Sequence, residues 1–211
     1  MSKSLEKMQA DLYKGNAAEV KMATQEALDQ GMSAGEVLHG GLLPGMDKVG
    51  EDFKAGDLFI PEVLMAAKAM HAGLDLLRPL LTETDAPSRG KIVVGTVEGD
   101  LHDIGKNLVG MMLEGAGFEI IDLGTDVTAD AFVAAVRDGA ADMIGLSALL
   151  TTTMSNMRKT IEVLMEAGLR DRVKVIVGGA PVTARFAEEI GADAYAEDAA
   201  SAVDTARELL A

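Results

Sequence analysis

The sequence predicts an α/β protein in two parts: a small helical bundle, followed by a five-stranded, parallel, doubly wound sheet. Two observations support this fold class. Over residues 1–81, apolar side chains recur at three- to five-residue intervals, which is the spacing of helices with one buried face. From residue 91 onward, five short apolar runs alternate with five helical segments, which is the order of elements in a parallel sheet with right-handed crossovers.

The helical part is divided by residues that commonly end helices. Breaks that separate four or five helices are expected at Asn16, Gly31-Met32-Ser33, Gly40-Gly41, Pro44 and Ala55-Gly56-Asp57. The last helix is expected to run roughly from Ile60 to Leu81, with Pro61 in its first turn, where proline is tolerated.

A linker is expected after this helix. Residues 82–90 are polar, contain proline and glycine and lack periodicity. The predicted domains are therefore residues 1–88, a helical domain that includes most of the linker, and residues 89–211, an α/β domain.

The α/β part begins with a buried strand. Strands are expected at 91–97, 118–123, 141–147, 173–177 and, more weakly, 192–196. Helices are expected between and after them, near 104–115, 128–138, 153–168, 182–190 and 199–210. This is the arrangement of a Rossmann-like, or flavodoxin-like, domain, in which ligands bind outside the carboxyl ends of the strands where the strand order reverses.

The composition excludes several classes of site and partner. The absence of cysteine removes disulfides, thiolate metal sites, iron–sulfur clusters and thiol nucleophiles. With 19 basic and 34 acidic residues the formal charge is −15, so neither nucleic acid nor an anionic membrane surface is an expected partner. No apolar stretch has the length of a signal sequence or a membrane span, and a cytoplasmic protein is expected.

The loop after the first predicted strand carries the candidate site residues, Glu98-Gly99-Asp100-Leu101-His102-Asp103-Ile104-Gly105-Lys106-Asn107. It contains neither the dinucleotide fingerprint G-x-G-x-x-G nor the phosphate-loop pattern G-x-x-x-x-G-K-[ST], which argues against a nucleotide site. A response-receiver domain is also disfavoured, because Ser147 closes the third predicted strand where such a domain has its phospho-acceptor aspartate.

Three separated blocks of sequence share a pattern. They are Asp-x-His-x-x-Gly, then Ser-x-Leu after 41 intervening residues, then Gly-Gly after 28 more, formed by Asp100, His102, Gly105, Ser147, Leu149, Gly178 and Gly179. This triple pattern resembles the cobalamin-binding signature of cobalamin-dependent methionine synthase, of the corrinoid proteins in methanol and methylamine methyltransferase systems, and of the carbon-skeleton mutases.

The resemblance implies a site for cobalamin or a related corrinoid. His102 is the implied lower axial ligand of cobalt, in place of the benzimidazole of the cofactor, so that the cofactor is bound base-off and His-on. Asp100 is placed to accept the other N–H of the imidazole and to raise its basicity. Thr153 stands where the methionine synthase pattern has a serine hydroxyl bonded to that aspartate. Asp100 and Thr153 are therefore the predicted catalytic residues, and the Asp100–His102 pair is expected to take up a proton as the methyl group leaves.

The displaced nucleotide tail of the cofactor requires a slot lined by small residues. Gly145, Ser147 and Ala148 on the third strand offer such a wall, as does the end of the fourth. The full set of predicted cofactor contacts in the second domain is Gly99, Asp100, Leu101, His102, Asp103, Ile104, Gly105, Ser147, Leu149, Thr151, Thr153, Gly178, Gly179 and Ala180.

The helical part carries a second resemblance. Residues 46–70, reading MDKVGEDFKAGDLFIPEVLMAAKAM, resemble the four-helix cap that covers the corrin in methionine synthase and in the methylamine and methanol corrinoid proteins. The residues implied to lie over the ring are Phe53, Phe59, Ile60 and Val63. Periodicity alone equally allows each of them to be bundle core.

The cap and the chain length separate the cobalamin users. A mutase requires a barrel domain for which 211 residues leave no room, and a complete methionine synthase requires thiolate zinc ligands. Cobalamin photoreceptors resemble the chain less, because their cap typically bears tryptophan and they add a basic DNA-binding module. The sequence is therefore most similar to a stand-alone corrinoid methyl carrier.

Such a carrier shuttles a methyl group between a substrate-specific methyltransferase and an acceptor methyltransferase, through cobalt(I) and methyl-cobalt(III). A reductive activation protein is the third implied partner. The resemblance implies a non-autonomous subunit of a methyltransferase system and leaves open whether the chain is itself an enzyme. It also leaves open the methyl donor, whether a methylamine, methanol, betaine or a methoxyaromatic. The alternative function is a cobalamin store or sensor without turnover.

Overall fold

The computed structural model describes residues 3–81, 89–139 and 141–211. The chain divides into two compact units, one formed by Met1–Ser88 with Gly115–Gly117 and the other by Arg89–Glu114 with Phe118–Ala211. Apart from its last two residues, the predicted linker 82–90 lies outside the described residues.

The first unit is a helical bundle with α1 at Lys3–Tyr13, α2 at Ala17–Asp29, α3 at Ala34–Val37, α4 at Leu43–Ala55 and α5 at Ile60–Leu77. A π-helical turn, Leu38–Leu42, joins α3 to α4, and a 3-10 turn, Arg78–Leu80, follows α5. Because α3, the π turn and α4 form one continuous run, the predicted four-helix bundle is confirmed. In the parts of the chain that the structure describes, no helix is long and apolar enough to cross a membrane.

The predicted breaks at Gly40-Gly41 and Pro44 are wrong, and α1 explains why. A Cβ atom added at Gly40 would lie 2.9 Å from Leu5, so this glycine permits close packing and does not end a helix. Pro44 has no N–H to donate to the carbonyl of Gly40 four residues earlier. The Nε2 of Gln9 donates to that carbonyl instead, at 2.7 Å. A side chain from another helix thus supplies the missing hydrogen bond.

The second unit is the predicted α/β domain. Its strands are β1 at Lys91–Thr96, β2 at Glu119–Asp122, β3 at Met143–Ser147, β4 at Lys174–Gly178 and β5 at Ala194–Ala196. Its helices are α6 at Ile104–Gly115, α7 at Ala129–Gly139, α8 at Met154–Glu166, α9 at Ala184–Ile190 and α10 at Ala199–Leu209. The strands are parallel in the order β2-β1-β3-β4-β5, which confirms the five-stranded parallel sheet. The order reverses between β1 and β3, so the loops that follow these two strands meet at the switch point.

The two faces of the sheet are covered by different helices. On one face, Val93, Ile144 and Val175 belong to a single buried cluster with side chains of α7, α8 and α9. Helix α6 packs on the other face, where Gly110 lies beside Val94 and Ile120. The helices cover the two faces of the sheet. The loops that follow β1 and β3, at the carboxyl ends of these strands, are therefore the place where a ligand is expected to bind.

Candidate functional site

The loop from Val97 to Asp103, here called the His loop, connects β1 to α6 and carries the predicted site. Gly99 has a φ of 82°, a left-handed conformation that is strained for a residue with a side chain. The buried hydroxyl of Thr96 donates to the carbonyl of His102 at 2.9 Å. The His loop therefore turns back over the end of the strand that precedes it.

Asp100 and His102 form the central pair of this loop. The Nδ1 atom of His102 lies 2.7 Å from Oδ1 of Asp100, and the backbone N–H of His102 donates to the same oxygen at 3.1 Å. An ionised carboxylate only accepts hydrogen bonds, so Nδ1 is the ring nitrogen that donates to Asp100, and Nε2 is the nitrogen left to offer a lone pair. The side chain of Asp100 is fully buried and that of His102 is 51% exposed. Nε2 is thus the atom of this pair that is suited to bind a metal.

The second carboxylate oxygen of Asp100 is held by the loop after β3. Oδ2 accepts the backbone N–H of Leu149 at 2.8 Å, that of Leu150 at 3.2 Å, and the hydroxyl of Thr153 at 2.8 Å. Burial by itself would raise the pKa of Asp100. The hydrogen bonds from His102, Leu149 and Thr153 outweigh burial and hold that pKa well below its usual range. The carboxylate therefore stays ionised at neutral pH.

Large apolar side chains lie in the segments that follow β1 and β3, next to the residues that hold the Asp100–His102 pair. They are exposed in spite of their size: Leu101, Ile104, Leu149 and Leu150. Single exposed leucines are common, but several large exposed apolar side chains on the two segments that hold one polar pair are typical of a binding site for an apolar ligand. We call these four residues the apolar rim. Leu150 was not predicted, although its position next to the Ser-x-Leu block is a signal for it.

Strand β3 leaves an opening on the face of the sheet that carries α6. A central strand of a doubly wound sheet is normally buried on both faces. Ile144 and Leu146 are buried, whereas Gly145 and Ser147, which alternate with them, are only partly buried. Gly178 pairs with Ser147 in the register and is also partly buried. Gly145, Ser147 and Gly178, predicted to line the tail slot, therefore lie along a partly exposed groove on one face. The same prediction is wrong for Ala148, which is fully buried in the core cluster of the other face.

The turn after β4 depends on glycine. Gly179 has a φ of 125°, and a Cβ atom there would lie 1.9 Å from the carbonyl oxygen of Ala148. No residue with a side chain fits this approach of two backbones. Ala180, the next residue, is exposed at the same edge.

The remaining predicted contacts of the α/β unit lie at the start of α6 and after β3. Oδ2 of Asp103 accepts a hydrogen bond from the side chain of Asn107 at 3.1 Å. Gly105 lies in the first turn of α6, and a Cβ atom there would meet nothing within 4 Å. The protein itself does not require glycine at this position, which fits a ligand lying against the helix. Thr151 is exposed.

The four predicted residues of the helical unit differ in exposure. Phe59 and Ile60, at the start of α5, are exposed, and Phe53 is half-buried. Val63 is fully buried and is part of the bundle core. The place of these residues over a corrin stays a prediction.

The donor atoms of the α/β unit fit a corrinoid. A single neutral imidazole nitrogen suits a metal whose other positions are already filled by a macrocycle. The apolar rim suits the flat face of such a ring, and the groove along β3 suits an extended tail.

Comparison with known proteins identifies the family. Residues 90–204 match the B12 binding domain, and residues 4–78 match a second B12 binding domain. The chain is 44% identical over 209 residues to a corrinoid protein of Desulfitobacterium hafniense, covering 98% of this chain and 97% of that one. It is 51% identical over 191 residues to dimethylamine corrinoid protein 1 of Methanosarcina acetivorans, covering 90% of each. The chain belongs to the corrinoid protein family.

A solved structure agrees with this assignment. A chain in the crystal structure of the methanol:cobalamin methyltransferase complex from Methanosarcina barkeri matches this corrinoid protein with a TM-score of 0.88 at 30% identity. The match covers 96% of this chain and 78% of that chain. The predicted resemblance to the methylamine and methanol corrinoid proteins is confirmed, as is cobalamin or a related corrinoid as the cofactor of the family.

Several residues that support the His loop of the corrinoid protein were not predicted. Asn156 on α8 donates from Nδ2 to the carbonyl of Glu98 at 2.7 Å. Lys159, one turn further along α8, pairs with the carboxylate of Glu98 at 2.9 Å. Thr153, Asn156 and Lys159 follow one another at three-residue intervals, which is the one available signal, because residues three apart lie on the same face of a helix.

Proposed function

We propose that this corrinoid protein carries methyl groups from a substrate-specific methyltransferase to an acceptor methyltransferase, with a reductive activation protein that restores the cofactor after oxidation. The observation that carries the proposal is His102, whose Nε2 is available beside the apolar rim while its Nδ1 is bonded to buried Asp100. The similar proteins include a dimethylamine corrinoid protein and a chain of a methanol:cobalamin methyltransferase complex, and both support the proposed methyl transfer.

His102 would hold the cofactor through Nε2, in place of the cofactor's own benzimidazole. Leu101, Ile104 and Leu149 of the apolar rim would contact the ring. The groove along Gly145 and Ser147 would take the nucleotide tail. When bound, the corrinoid supplies a cobalt centre that changes oxidation state as it accepts and releases a methyl group.

Asp100 and Thr153 would act through the proton on Nδ1 of His102. Oδ1 of Asp100 accepts the hydrogen bond of this proton, with Nδ1 and Oδ1 2.7 Å apart, and so orients the ring and raises the basicity of Nε2. Thr153 donates to the other carboxylate oxygen and keeps the carboxylate from turning away. The hydrogen bonds made by Asp100 and Thr153 would therefore influence how strongly Nε2 of His102 binds a metal.

The axial role of His102 can be tested by reconstitution with hydroxocobalamin. After reduction to cobalt(II), wild-type protein labelled with ¹⁵N-histidine should show a changed nitrogen splitting in its electron paramagnetic resonance spectrum. His102→Ala should lose that dependence on the label. His39→Ala is the matched control, because His39 is exposed in the helical unit. A His102→Ala protein that keeps a labelled axial nitrogen would show the assignment to be wrong.

The carrier function needs a separate experiment. Reduced holo-protein is mixed with dimethylamine, methanol or another methyl donor and a matching methyltransferase, and the visible spectrum of the methylated cofactor is followed. Methylation that then passes to an acceptor supports the carrier. Firm binding of cobalamin with no methylation by any donor would instead support a store or sensor.

A further inference from the structure

Asp126, in the loop between β2 and α7, has an unusual backbone conformation. Its φ is 55°, and among residues 3–81, 89–139 and 141–211 it is the one non-glycine residue with a positive φ. A left-handed conformation is costly for most residues, and asparagine and aspartate tolerate it best. Such a residue persists where its surroundings hold it in place, and it often lies at a functional site.

Two hydrogen bonds of opposite direction connect Asp126 to the His loop. The backbone N–H of Gly99 donates to Oδ1 of Asp126 at 2.7 Å. The backbone N–H of Asp126 donates to the carbonyl of Asp100 at 3.0 Å. Asp126 therefore holds the two consecutive residues that precede Leu101 and His102. Because φ sets the angle between the N–H and the side chain of a residue, the left-handed φ of Asp126 accompanies an arrangement in which both groups bind the same neighbouring loop.

Residues before and after Asp126 in the chain are hydrogen-bonded to β1. The N–H of Thr96 donates to the carbonyl of Gly124 at 3.0 Å, and the N–H of Val127 donates to the carbonyl of Thr96 at 2.9 Å. The β2–α7 loop thus continues the ladder beside β1 and provides a rigid support. Asp126 lies outside all three blocks of the cobalamin-binding pattern.

We infer that Asp126 is a positioning residue for the axial histidine, an inference that rests on the proposed function. The carboxylate of Asp100 can face the ring of His102 only if the backbone at Gly99 and Asp100 keeps its present course. Asp126 determines that course from outside the loop. Its loss therefore misplaces Nε2 of His102 without removing any atom that touches the cofactor.

A series of variants separates the backbone and side-chain contributions of Asp126. Asp126→Gly keeps the left-handed backbone and removes the acceptor of the Gly99 N–H. Asp126→Asn tolerates the same backbone and keeps an oxygen acceptor, so it is the rescue variant. Asp130→Ala, which removes another exposed acidic side chain near the start of α7, controls for the loss of charge.

Each full-length variant, labelled with ¹⁵N-histidine, is reconstituted with hydroxocobalamin, and the dissociation constant for hydroxocobalamin is measured. The cobalt is then reduced to cobalt(II), and the fraction of cobalt bound by a histidine nitrogen is measured by electron paramagnetic resonance. Asp126→Gly should weaken binding by about tenfold and lower the histidine-bound fraction, as is typical when a residue that orients a metal ligand is lost. Asp126→Asn and Asp130→Ala should resemble wild type. Hydrogen exchange at the Gly99 amide of the apo-protein should quicken in Asp126→Gly alone.

Three results would count against the inference in distinguishable ways. Wild-type binding and histidine coordination in Asp126→Gly would overturn it. Loss of coordination in Asp126→Asn equal to that in Asp126→Gly would overturn the role of the acceptor oxygen. A wild-type protein whose cobalt carries no histidine nitrogen would overturn the axial role of His102, and this inference with it, while the methyl-carrier function would still be decided by the methylation experiment.

Discussion

The hydroxyl oxygen of Thr153 lies 2.8 Å from Oδ2 of Asp100, while the other carboxylate oxygen, Oδ1, faces His102. Each oxygen of this buried carboxylate thus has a separate task. Oδ2 binds to the loop and helix that follow β3, and Oδ1 binds to the imidazole. The orientation of His102 therefore depends on a residue 51 positions further along the chain, in a different β-α unit.

Removal of the Thr153 hydroxyl should weaken the site. Thr153→Val keeps the shape of the side chain but leaves Oδ2 of Asp100 with only two backbone donors. We expect the free energy of unfolding of the apo-protein to fall by about 1–3 kcal/mol, the cost of depriving a buried charged group of a hydrogen bond. Urea denaturation measures this change, and titration with hydroxocobalamin measures the accompanying loss of affinity. Thr153→Ser, which keeps the hydroxyl, should remain within about 1 kcal/mol of wild type, and equal losses in both variants would contradict this account.

Substitution of Gly105 should affect the cofactor and not the fold. A Cβ atom at this position meets nothing within 4 Å, and alanine favours a helix over glycine by about 1 kcal/mol. We expect Gly105→Ala to leave the apo-protein as stable as wild type or slightly more stable, and to lower its affinity for hydroxocobalamin. Thermal unfolding and spectroscopic titration measure the two effects.

Gly179→Ala is the contrasting variant for Gly105→Ala. Its Cβ atom would lie 1.9 Å from a backbone oxygen, so it should destabilise the apo-protein itself by several kcal/mol or prevent folding. If Gly105→Ala binds cobalamin as tightly as wild type, no ligand lies against the first turn of α6.

The apolar rim should contribute binding energy without contributing stability. The side chain of Leu101 is 72% exposed, so Leu101→Ser should change the free energy of unfolding by less than about 0.5 kcal/mol. The same change should reduce affinity for hydroxocobalamin several-fold, because apolar contact with the ring is lost. Leu80→Ser is the matched control, since Leu80 is 52% exposed, belongs to the 3-10 turn after α5 and is not among the predicted contacts of the cofactor. Equal affinities of Leu101→Ser and Leu80→Ser would remove Leu101 from the site.

The contact between Tyr13 and Asp52 predicts a pH dependence in the helical unit. The hydroxyl of Tyr13 donates to Asp52 at 2.9 Å, and Lys48 pairs with the same carboxylate at 2.8 Å. The hydrogen bonds from Lys48 and Tyr13 hold the pKa of Asp52 below its ordinary value. A carboxyl with a lowered pKa in the folded state stabilises the fold above its unfolded pKa of about 3.9, and that stabilisation is lost as the pH falls through the folded pKa.

Tyr13→Phe should therefore raise the pKa of Asp52 towards its ordinary value and reduce the loss of stability between about pH 4 and the folded pKa. NMR titration of the Asp52 carboxyl carbon measures the first effect, and unfolding curves at several pH values measure the second. Tyr195→Phe changes the other tyrosine of the chain and should leave Asp52 unaffected. An unchanged Asp52 pKa in Tyr13→Phe would mean that Lys48 alone sets it.

The helix breaks show where prediction from sequence reached its limit in the bundle. The prediction that Gly56 ends a helix is confirmed, since it follows α4 with a φ of 82°. A Cβ atom added at Gly56 would meet nothing within 4 Å. Gly40 and Pro44 carry the same local signal but lie inside a helical run. The difference is Gln9 on α1, which supplies the hydrogen bond that Pro44 cannot. No local pattern contains that information, because the compensating residue lies 31 positions away.

In the candidate site too, some contacts follow from the local sequence and others depend on residues far away in the chain. The sequence by itself determined the α/β class, through the change from helical to strand-like periodicity, and it determined the Asp100–His102 pair, because a spacing of two brings the ring and the backbone N–H of His102 to one carboxylate oxygen. The resemblance to methionine synthase already implied Thr153 as a partner of Asp100, but only the tertiary structure decided that the loop between β2 and α7 also holds that pair, through Asp126. Thr153 and Asp126 reach the His loop from separate β-α units, and the strand order β2-β1-β3 places those units on either side of it. Periodicity reports which residues are buried, whereas strand order depends on packing among all the elements at once.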